Sequence, residues 1–564
     1  IGDAIDVDAL LEEAKVPIKK THAALCAPEG LQMMQDDMDK EGVNSLIIAA
    51  CSMRAKQDAF NYDPKQVIVD RVNLREQVAW CQKPNDEDTQ MMAEDYIRMS
   101  VAKVNSMDFL EPFQPEEPVD KTVMVVGGGM AGLTAAANAS KAGNPVVLLE
   151  KEAKLGGFAN KMYKMFPKKP PYNELQDTGV KDLISQVEGD SNIKVYTEAK
   201  INNINNGPGL YDVTMEAGGK EQEFRVGSIV LATGWKPYDP NKLGHLGFGN
   251  CSNVVTNVMM EEMAAKGEIK RPSDGSEPKS VLFIQCAGSR DPDHLPYCSA
   301  VCCRVSLKQA RYVREKFPDA KVYIVYKDIR SPGLYEEFYK EMQKDEGVFL
   351  TKGEVASVTE DGDKGVVVEA DDTLLGKKIK LKADMVVLAT GMVPKAADGI
   401  AIRKFTDAQA TMAKDDAGQV QKEAAQKDLE TYKDHEGSQI LNLNYRQGPD
   451  LPTLKYMFPD SHFICFPYET QRTGIYATGC VRAPMDIGQA VDDATGAAMK
   501  SIQCLELTEQ GKAVHPRAGD ESYPDFFLQR CTQCKRCTEE CPFGVLNEDV
   551  KGTPLPNPTR CRRC

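Results

Sequence analysis

The sequence predicts an α/β chain of several domains built on parallel sheets. Three observations carry that expectation: a glycine-rich turn between two short apolar strands, a proline-rich acidic stretch that sets apart the residues before it, and closely spaced cysteines near the end. At about 100 to 200 residues per domain, 564 residues make roughly three to five domains, and 42% hydrophobic residues fill several cores. Acidic residues number 84 against 69 basic ones, and the resulting net charge of -15 argues against nucleic acid as a partner. Seventeen cysteines grouped at ligand spacings point to metal or redox chemistry in a reducing cytoplasm, because disulfide frameworks belong to small secreted domains. No apolar stretch approaches the ~18 to 20 residues that span a bilayer, so membrane contact is expected only through a partner. The chain begins at Ile1, and a preceding segment is expected.

Residues 1–118 are expected to form an N-terminal α/β domain and linker. Val43 to Ala50 is an apolar strand candidate between helix-like polar stretches, and Glu111-Pro-Phe-Gln-Pro-Glu-Glu-Pro118 can continue neither a helix nor a central strand. From 119 to 245 a dinucleotide-binding unit follows. Thr122 to Val126 runs into Gly127-Gly-Gly129-Met130-Ala131-Gly132, an alanine-rich helix, and a second strand, Val146 to Leu149, that ends at Glu150. The glycines permit a tight turn, approach of backbone to a pyrophosphate and close helix packing, while the helix N-terminus offers N–H groups and a positive dipole. Glu150 sits where a carboxylate accepts from ribose hydroxyls. Glycines that serve the turn alone are the plainer reading, and the strand, helix and acid in sequence weigh against it.

Three further segments select the dinucleotide: Lys151 to Gly157, with Gly156 and Gly157 before Phe158; Ala232-Thr233-Gly234 after the strand Ser228 to Val230; and Gly474-Ile-Tyr-Ala-Thr-Gly479, followed by Cys480. They resemble the turns of the two-dinucleotide-binding-domain flavoproteins of the thioredoxin reductase superfamily, over about Thr122 to Glu506. That resemblance implies FAD, held also near Gln489 and Ala490, in a domain whose second half spans 445–515. Most of that superfamily has Asp where Cys480 stands, so a side-chain contact to the ribityl chain is in doubt here, whereas the backbone N–H contact of this turn is expected to persist.

Residues 246–393 should form the inserted pyridine-nucleotide domain, but its fingerprint is broken. The strand Ser280 to Ile284 leads into Gln285-Cys286-Ala-Gly288-Ser-Arg290, and a turn without the second and third glycines cannot bring its backbone against a pyrophosphate. Cys286, Cys298, Cys302 and Cys303 stand in that place instead, and we read them as ligands of a [4Fe-4S] cluster. A redox dithiol and plain buried packing stay open beside that reading; the missing C-x-x-C counts against the dithiol. Residues 394–444 read as an exposed helical insertion.

In the last part, 516–564, Cys531, Cys534, Cys537 and Cys541-Pro542 follow the C-x2-C-x2-C-x3-C-P spacing of bacterial ferredoxins, and Cys561 and Cys564 follow. Three thiolates on one tight loop reach three irons of one cubane and the fourth turns to the other cluster, so two [4Fe-4S] clusters are expected, with further cysteines downstream. Structural zinc is the alternative. Lys535, Arg536, Arg560, Arg562 and Arg563 would favour the reduced clusters, or form a solvated docking face.

Together with Ala49-Ala-Cys51-Ser-Met-Arg54, Asn73-Leu-Arg75-Glu-Gln77, Lys327-Asp328-Ile-Arg330 and Tyr335-Glu-Glu-Phe-Tyr339, these parts resemble the A-type subunits of heterodisulfide reductase over nearly the whole chain. Within that family the chain resembles most the branch represented by the B-type subunits of the quinone-interacting membrane-bound oxidoreductases of sulfate-reducing bacteria. The archaeal A-type subunits usually carry an extra ferredoxin insertion in the first flavin half, and here no cysteine lies between Phe158 and Val230. Cys26 and Cys51 occupy family cysteine positions and Cys81 is displaced from one; packing is the reading preferred for them. The resemblance implies an electron-transfer subunit linking the menaquinone pool to cytoplasmic adenylylsulfate reductase. Its partners would be a homologous flavoprotein subunit and a membrane quinone-binding haem subunit, at the cytoplasmic face of the inner membrane. An archaeal-type bifurcating subunit, an NAD(P)H-dependent disulfide or ferredoxin reductase, and a non-catalytic scaffold remain as alternatives.

Overall fold

A computed structural model describes every residue except 110–116, 416, 434–438, 463, 516–525 and 563–564. It divides into two compact units, Ile1–Glu116 with Glu509–Cys531 and Pro556–Cys564, and Glu117–Thr508 with Thr532–Leu555.

In the small unit, helices α1 (Val7–Ala14) and α2 (Pro28–Glu41) precede parallel strands β1 (Ser45–Ala50) and β2 (Ile68–Asn73), and helix α3 (Glu87–Asn105) follows. Asp6 caps α1 by accepting from Ala9 N–H, and Asp86 caps α3 through Asp88 N–H, as short acidic side chains do at helix starts. Leu10, Val72, Leu74, Val78, Ala93 and Ile97 form the core. Cys81 is exposed, and Cys26 and Cys51 are half-buried.

The large unit opens with β3 (Val123–Val126), α4 (Met130–Lys141), β4 (Val146–Leu149), α5 (Val180–Glu188) and β5 (Ile193–Tyr196). An antiparallel meander, β6 (Ala199–Asn205), β7 (Tyr211–Ala217) and β8 (Lys220–Val226), then returns the chain to β9 (Ser228–Leu231). After β10 (Trp235–Pro237) come β11 (Val254–Thr256), α6 (Asn257–Ala265), β12 (Ser280–Ala287), α7 (Cys302–Lys316), β13 (Lys321–Tyr326) and α8 (Tyr335–Lys344). Strands β14 (Val348–Glu360), β15 (Val366–Asp372), β16 (Lys377–Ala383), β17 (Met385–Thr390) and β18 (Met392–Pro394) complete that part. Two helices, α9 (Gly399–Met412) and α10 (Gln419–Tyr432), precede β19 (Ile475–Ala477) and the long α11 (Ile487–Glu509); α12 (Arg536–Glu540) lies near the end.

Two sheets position the site. The first is parallel in the order β19-β9-β3-β4-β5, with β19 contributed from beyond the second sheet. Its β3, β4 and β9 are wholly buried because both faces are covered: α4, α5 and α11 supply Leu133, Val180, Ala494 and Leu505 on one side, and the meander supplies Ile204, Tyr211, Val213 and Met215 on the other. The second runs β11-β17-β12-β13-β14-β15-β16, parallel as far as β14. Val281, Phe283, Val322 and Val387 face α6, α7 and α8. The strand expected to stop at Ile284 continues to Ala287, with a register shift against β17 between Ile284 and Ala287.

Candidate functional site

β3 and the Gly127 turn bring backbone, not side chains, to the first site. Gly127 has φ +109°, and a Cβ there would run into the Ala232 carbonyl. A Cβ at Gly132 would overlap the Gly127 carbonyl oxygen, so α4 can lie this close to the turn only with glycine there. Beside Gly129 the space is open: no atom stands within 4 Å of where a Cβ would be, and α4 starts without a side-chain cap. Its first N–H groups and its positive end therefore face a cradle that a phosphate fits and a Cβ would fill. Met130 and Ala131 form its first turn, Gly156 pairs with Gly129, and Gly157 packs behind it.

Glu150 is buried at the end of β4, where Oε2 accepts from Gly128 N–H (2.7 Å) and Oε1 from Glu152 N–H (2.9 Å). Each oxygen retains acceptor capacity for a ribose hydroxyl. Lys151 is exposed, and Ala232 is buried. Thr233 donates to the Lys395 carbonyl (2.6 Å), and Phe158 packs on Trp235 next to Gly234, ring centroids 4.1 Å apart. These residues fit a dinucleotide.

The last turn is held by a carboxylate from α11. Gly479 packs against Ala131, but its N–H is not free for a ligand: it donates to Asp493 Oδ2 (2.8 Å), which also accepts from Thr478 (2.9 Å) and pairs with Arg482. Asp493 of α11 thus ties Thr478, Gly479 and Arg482 together, while Cys480 brings no carboxylate to the turn. Cys480 donates to the Met485 carbonyl, and burial pushes its thiol up to about 12. Gln489 uses its side chain to accept from Asp486 N–H, closing the cap of α11, and Ala490 is buried beside it.

The second sheet presents thiols at the corresponding place. Cys286, Cys302 and Cys303 are buried and Cys298 is half-buried. Cys286 adopts φ +57°, a left-handed backbone that costs a non-glycine residue about 1–3 kcal/mol. Burial and then the facing Cys303 push its thiol up; a hydrogen bond to Cys303 and burial raise Cys302. Cys303 is held down at about 7 by the Cys302 hydrogen bond, helped by the Arg330 backbone N–H and guanidinium. The four thiols therefore share one electrostatic site. Among the described residues no three Cys, His, Asp or Glu side chains stand close enough to hold a single metal ion. A zinc tetrahedron requires such closeness because all its ligands share one atom, whereas the thiolates of a cubane each bind a different iron and stand farther apart.

Two buried ion pairs on α7 were not apparent from the sequence. Arg304, 1% exposed, donates to Asp486 (2.6 Å) at the start of α11 and lies over the rings of Phe166 and Tyr335, which meet edge to face. Lys308 pairs with Glu261 (2.9 Å) and donates to the Lys164 carbonyl (2.7 Å); Gln309 and Tyr312 also donate to Glu261. These links join α7 to α6, to the strap after Phe158 and to α11. His294, a loop candidate, pairs with Tyr238 (2.7 Å).

The C-terminal cysteines fall in both units: Cys531 and Cys561 in the small one, Cys534, Cys537 and Cys541 in the large one, while Cys564 and Arg563 lie outside the described residues. Cys537 is on α12, and the Arg536 backbone N–H holds the Cys534 thiol below its usual range. Lys535 and Arg536 pair with Glu548 (3.3 Å) and Glu540 (2.7 Å). Gln447 donates to Thr538, Arg446 pairs with Glu539, and buried Arg472 donates to the Pro542 carbonyl.

A glycine cradle at the centre of one parallel sheet, and a second sheet of the same order inserted before its last strand, define a thioredoxin-reductase-like flavoprotein, an oxidoreductase. The family model described as pyridine nucleotide-disulphide oxidoreductase matches residues 121–270. One of the iron-sulfur A-type subunits of the CoB--CoM heterodisulfide reductase of Methanopyrus kandleri, the one numbered 2, is 27% identical over 97% of this chain and 89% of its own length. The A-type subunit of the H(2):CoB-CoM heterodisulfide,ferredoxin reductase of Methanothermobacter marburgensis is 29% identical over 97% and 88%. The thioredoxin reductase of T. acidophilum, a solved structure, covers 68% of this chain and 98% of its own at 16% identity and a TM-score of 0.40. Over nearly its whole length the chain is similar to the A-type subunits of heterodisulfide reductases. Among the described residues no helix is long and apolar enough to cross a membrane.

Proposed function

We propose that this chain is the FAD and iron–sulfur electron-transfer subunit of a membrane-associated complex linking the menaquinone pool to adenylylsulfate reductase in dissimilatory sulfate reduction. It would sit at the cytoplasmic face of the inner membrane through a partner, beside a homologous flavoprotein subunit and a quinone-binding haem subunit. The carrying observation is the exchange at the second sheet: Cys286, Cys298, Cys302 and Cys303 stand where a glycine turn would seat a nicotinamide cofactor. Bound FAD exchanges electron pairs on one side and single electrons on the other, which suits neighbouring [4Fe-4S] clusters. Three clusters are assigned, one to Cys286, Cys298, Cys302 and Cys303, and two to Cys531, Cys534, Cys537, Cys541, Cys561 and Cys564. Gly127, Gly129 and the first turn of α4 bind the pyrophosphate, Glu150 orients the ribose, and the Arg304–Asp486 pair fixes the thiol-bearing helix against α11.

The cysteine-free span between Phe158 and Val230, filled here by α5, β5 and the meander, supports the sulfate-reducer branch. The names of the relatives support a second reading, a heterodisulfide-reductase-type subunit with other partners. EPR during reductive titration of anaerobic full-length protein, with iron and FAD quantified, tests the shared core. A Cys298→Ala, Cys302→Ala double variant is expected to lose one [4Fe-4S] signal and about four irons. Unchanged iron and spectra would sink the Cys286-group cluster, and direct reduction of the flavin by NAD(P)H would overturn the reading. Co-purification from membranes with a haem subunit, and electron exchange with adenylylsulfate reductase, separate the two branches.

A further inference from the structure

Gln285 directly precedes Cys286 and is 5% exposed, yet neither its Nε2 nor its Oε1 has a hydrogen-bond partner among the described residues. Ser306 is wholly buried on α7, and its Oγ is unpartnered too. Other buried helical hydroxyls find a partner, either on their own helix, as Thr134 does at the Met130 carbonyl (2.8 Å) and Thr508 at that of Cys504 (2.8 Å), or beyond it, as Ser100 does at Asp70 (2.6 Å). Ser306 has the same option and does not take it. Helical spacing places it above Cys302 and Cys303, four and three residues earlier on one face. By the period of two, Gln285 follows Val281 and Phe283, which pack with Leu307 and Ala310 of α7. Two orphaned donors thus converge on the end of α7 that carries the thiols, and buried donors without acceptors are rare in native proteins.

We propose that the Gln285 amide and the Ser306 hydroxyl donate hydrogen bonds to sulfur atoms of the [4Fe-4S] cluster held by Cys286, Cys298, Cys302 and Cys303, and so raise its reduction potential. The inference rests on the cluster assigned above. One-electron reduction adds negative charge to the cluster, and donors aimed at sulfur strengthen as that charge grows. Arg290 and Arg330 act in the same direction, and Asp328, paired with Arg290 (2.8 Å), opposes them.

The test uses Gln285→Leu and Ser306→Ala in full-length anaerobic protein, read by EPR-monitored redox titration and by proton ENDOR after exchange into deuterium oxide. The wild type and the Cys298→Ala, Cys302→Ala variant come first: no cluster lost between them overturns the assignment and the inference with it. With the cluster established, Gln285→Leu is expected to lower the midpoint of that signal alone by about 59 mV, a tenfold change for one electron, and to erase an exchangeable proton coupling. Ser306→Ala should shift it less, in the same direction. Unchanged midpoints and couplings in both variants overturn the inference while the cluster stands. If Gln285→Leu fails to assemble the cluster, Ser306→Ala decides on the same terms. In cluster-free protein both substitutions delete an unpartnered buried group, so Tm should hold or rise; a fall for both would reveal partners within the protein and overturn the proposal.

Discussion

β3 and β12 occupy corresponding places in the two sheets, each between the next parallel strand, β4 or β13, and a later returning one, β9 or β17, yet the turns after them are opposites. After β3 the chain removes side chains: four glycines in Gly127–Gly132 let backbone and helix dipole face a ligand. After β12 it adds them: an amide, thiols and, on α7, buried Arg304 and Lys308. The crevice at the carboxyl ends of parallel strands is a general place for ligands, and the side chains there determine whether it suits phosphate or, as proposed after β12, metal and sulfur.

The sharpest way to break this comparison is Gly132→Val. With a Cβ forced into the Gly127 carbonyl, purified protein is expected to retain no flavin by absorbance, whereas the cysteine-group signal survives. Next is Arg304→Ala, which strands Asp486 in the interior and should cost about 3–5 kcal/mol in chemical denaturation. Arg304→Lys recovers part of that and not the stacking on Phe166 and Tyr335.

A third test supplies a pH reference outside both turns. Asp450 is 3% exposed, accepts from Leu441 N–H (2.8 Å), and is pushed up by burial to about 7. Between the ordinary carboxylate value and about 7 the folded chain holds a proton that the unfolded chain has lost. Stability should therefore fall as pH rises, by about 1.4 kcal/mol per pH unit, and level off above about 7. Asp450→Asn is expected to flatten that slope in denaturation curves measured from pH 5 to 8. The smallest effect belongs to Glu150→Gln, which keeps one acceptor oxygen and sets a donor-only amide nitrogen against the N–H of either Gly128 or Glu152; FAD affinity by titration should weaken about tenfold, roughly 1.4 kcal/mol.

The first turn was legible because it is local. Val123–Val126, the glycines and Val146–Leu149 lie within one βαβ unit, and their pattern has few other physical readings. The second was legible only as cysteines. In sequence β12 ends at Ile284, where polar Gln285 breaks its apolar run, but a bulge keeps Gln285 and Cys286 in the strand. Arg304 and Asp486 meet across 182 positions of chain, and Asp493 of α11 takes the N–H of Gly479 in a different element. Nothing in local periodicity announces such pairs. An arginine in a helix reads as surface until the fold places aromatic rings over it.

The contact between Phe158 and Trp235 also has an optical consequence. The chain has two tryptophans; Trp80 is 67% exposed, and Trp235 is half-buried between the Gly157 and Gly234 turns. Their emission should differ in colour, with the redder part from Trp80 open to aqueous quenchers. A bound isoalloxazine would drain the bluer part by energy transfer, so the chain carries its own lamp for occupancy of the cradle and a second lamp against which to read it.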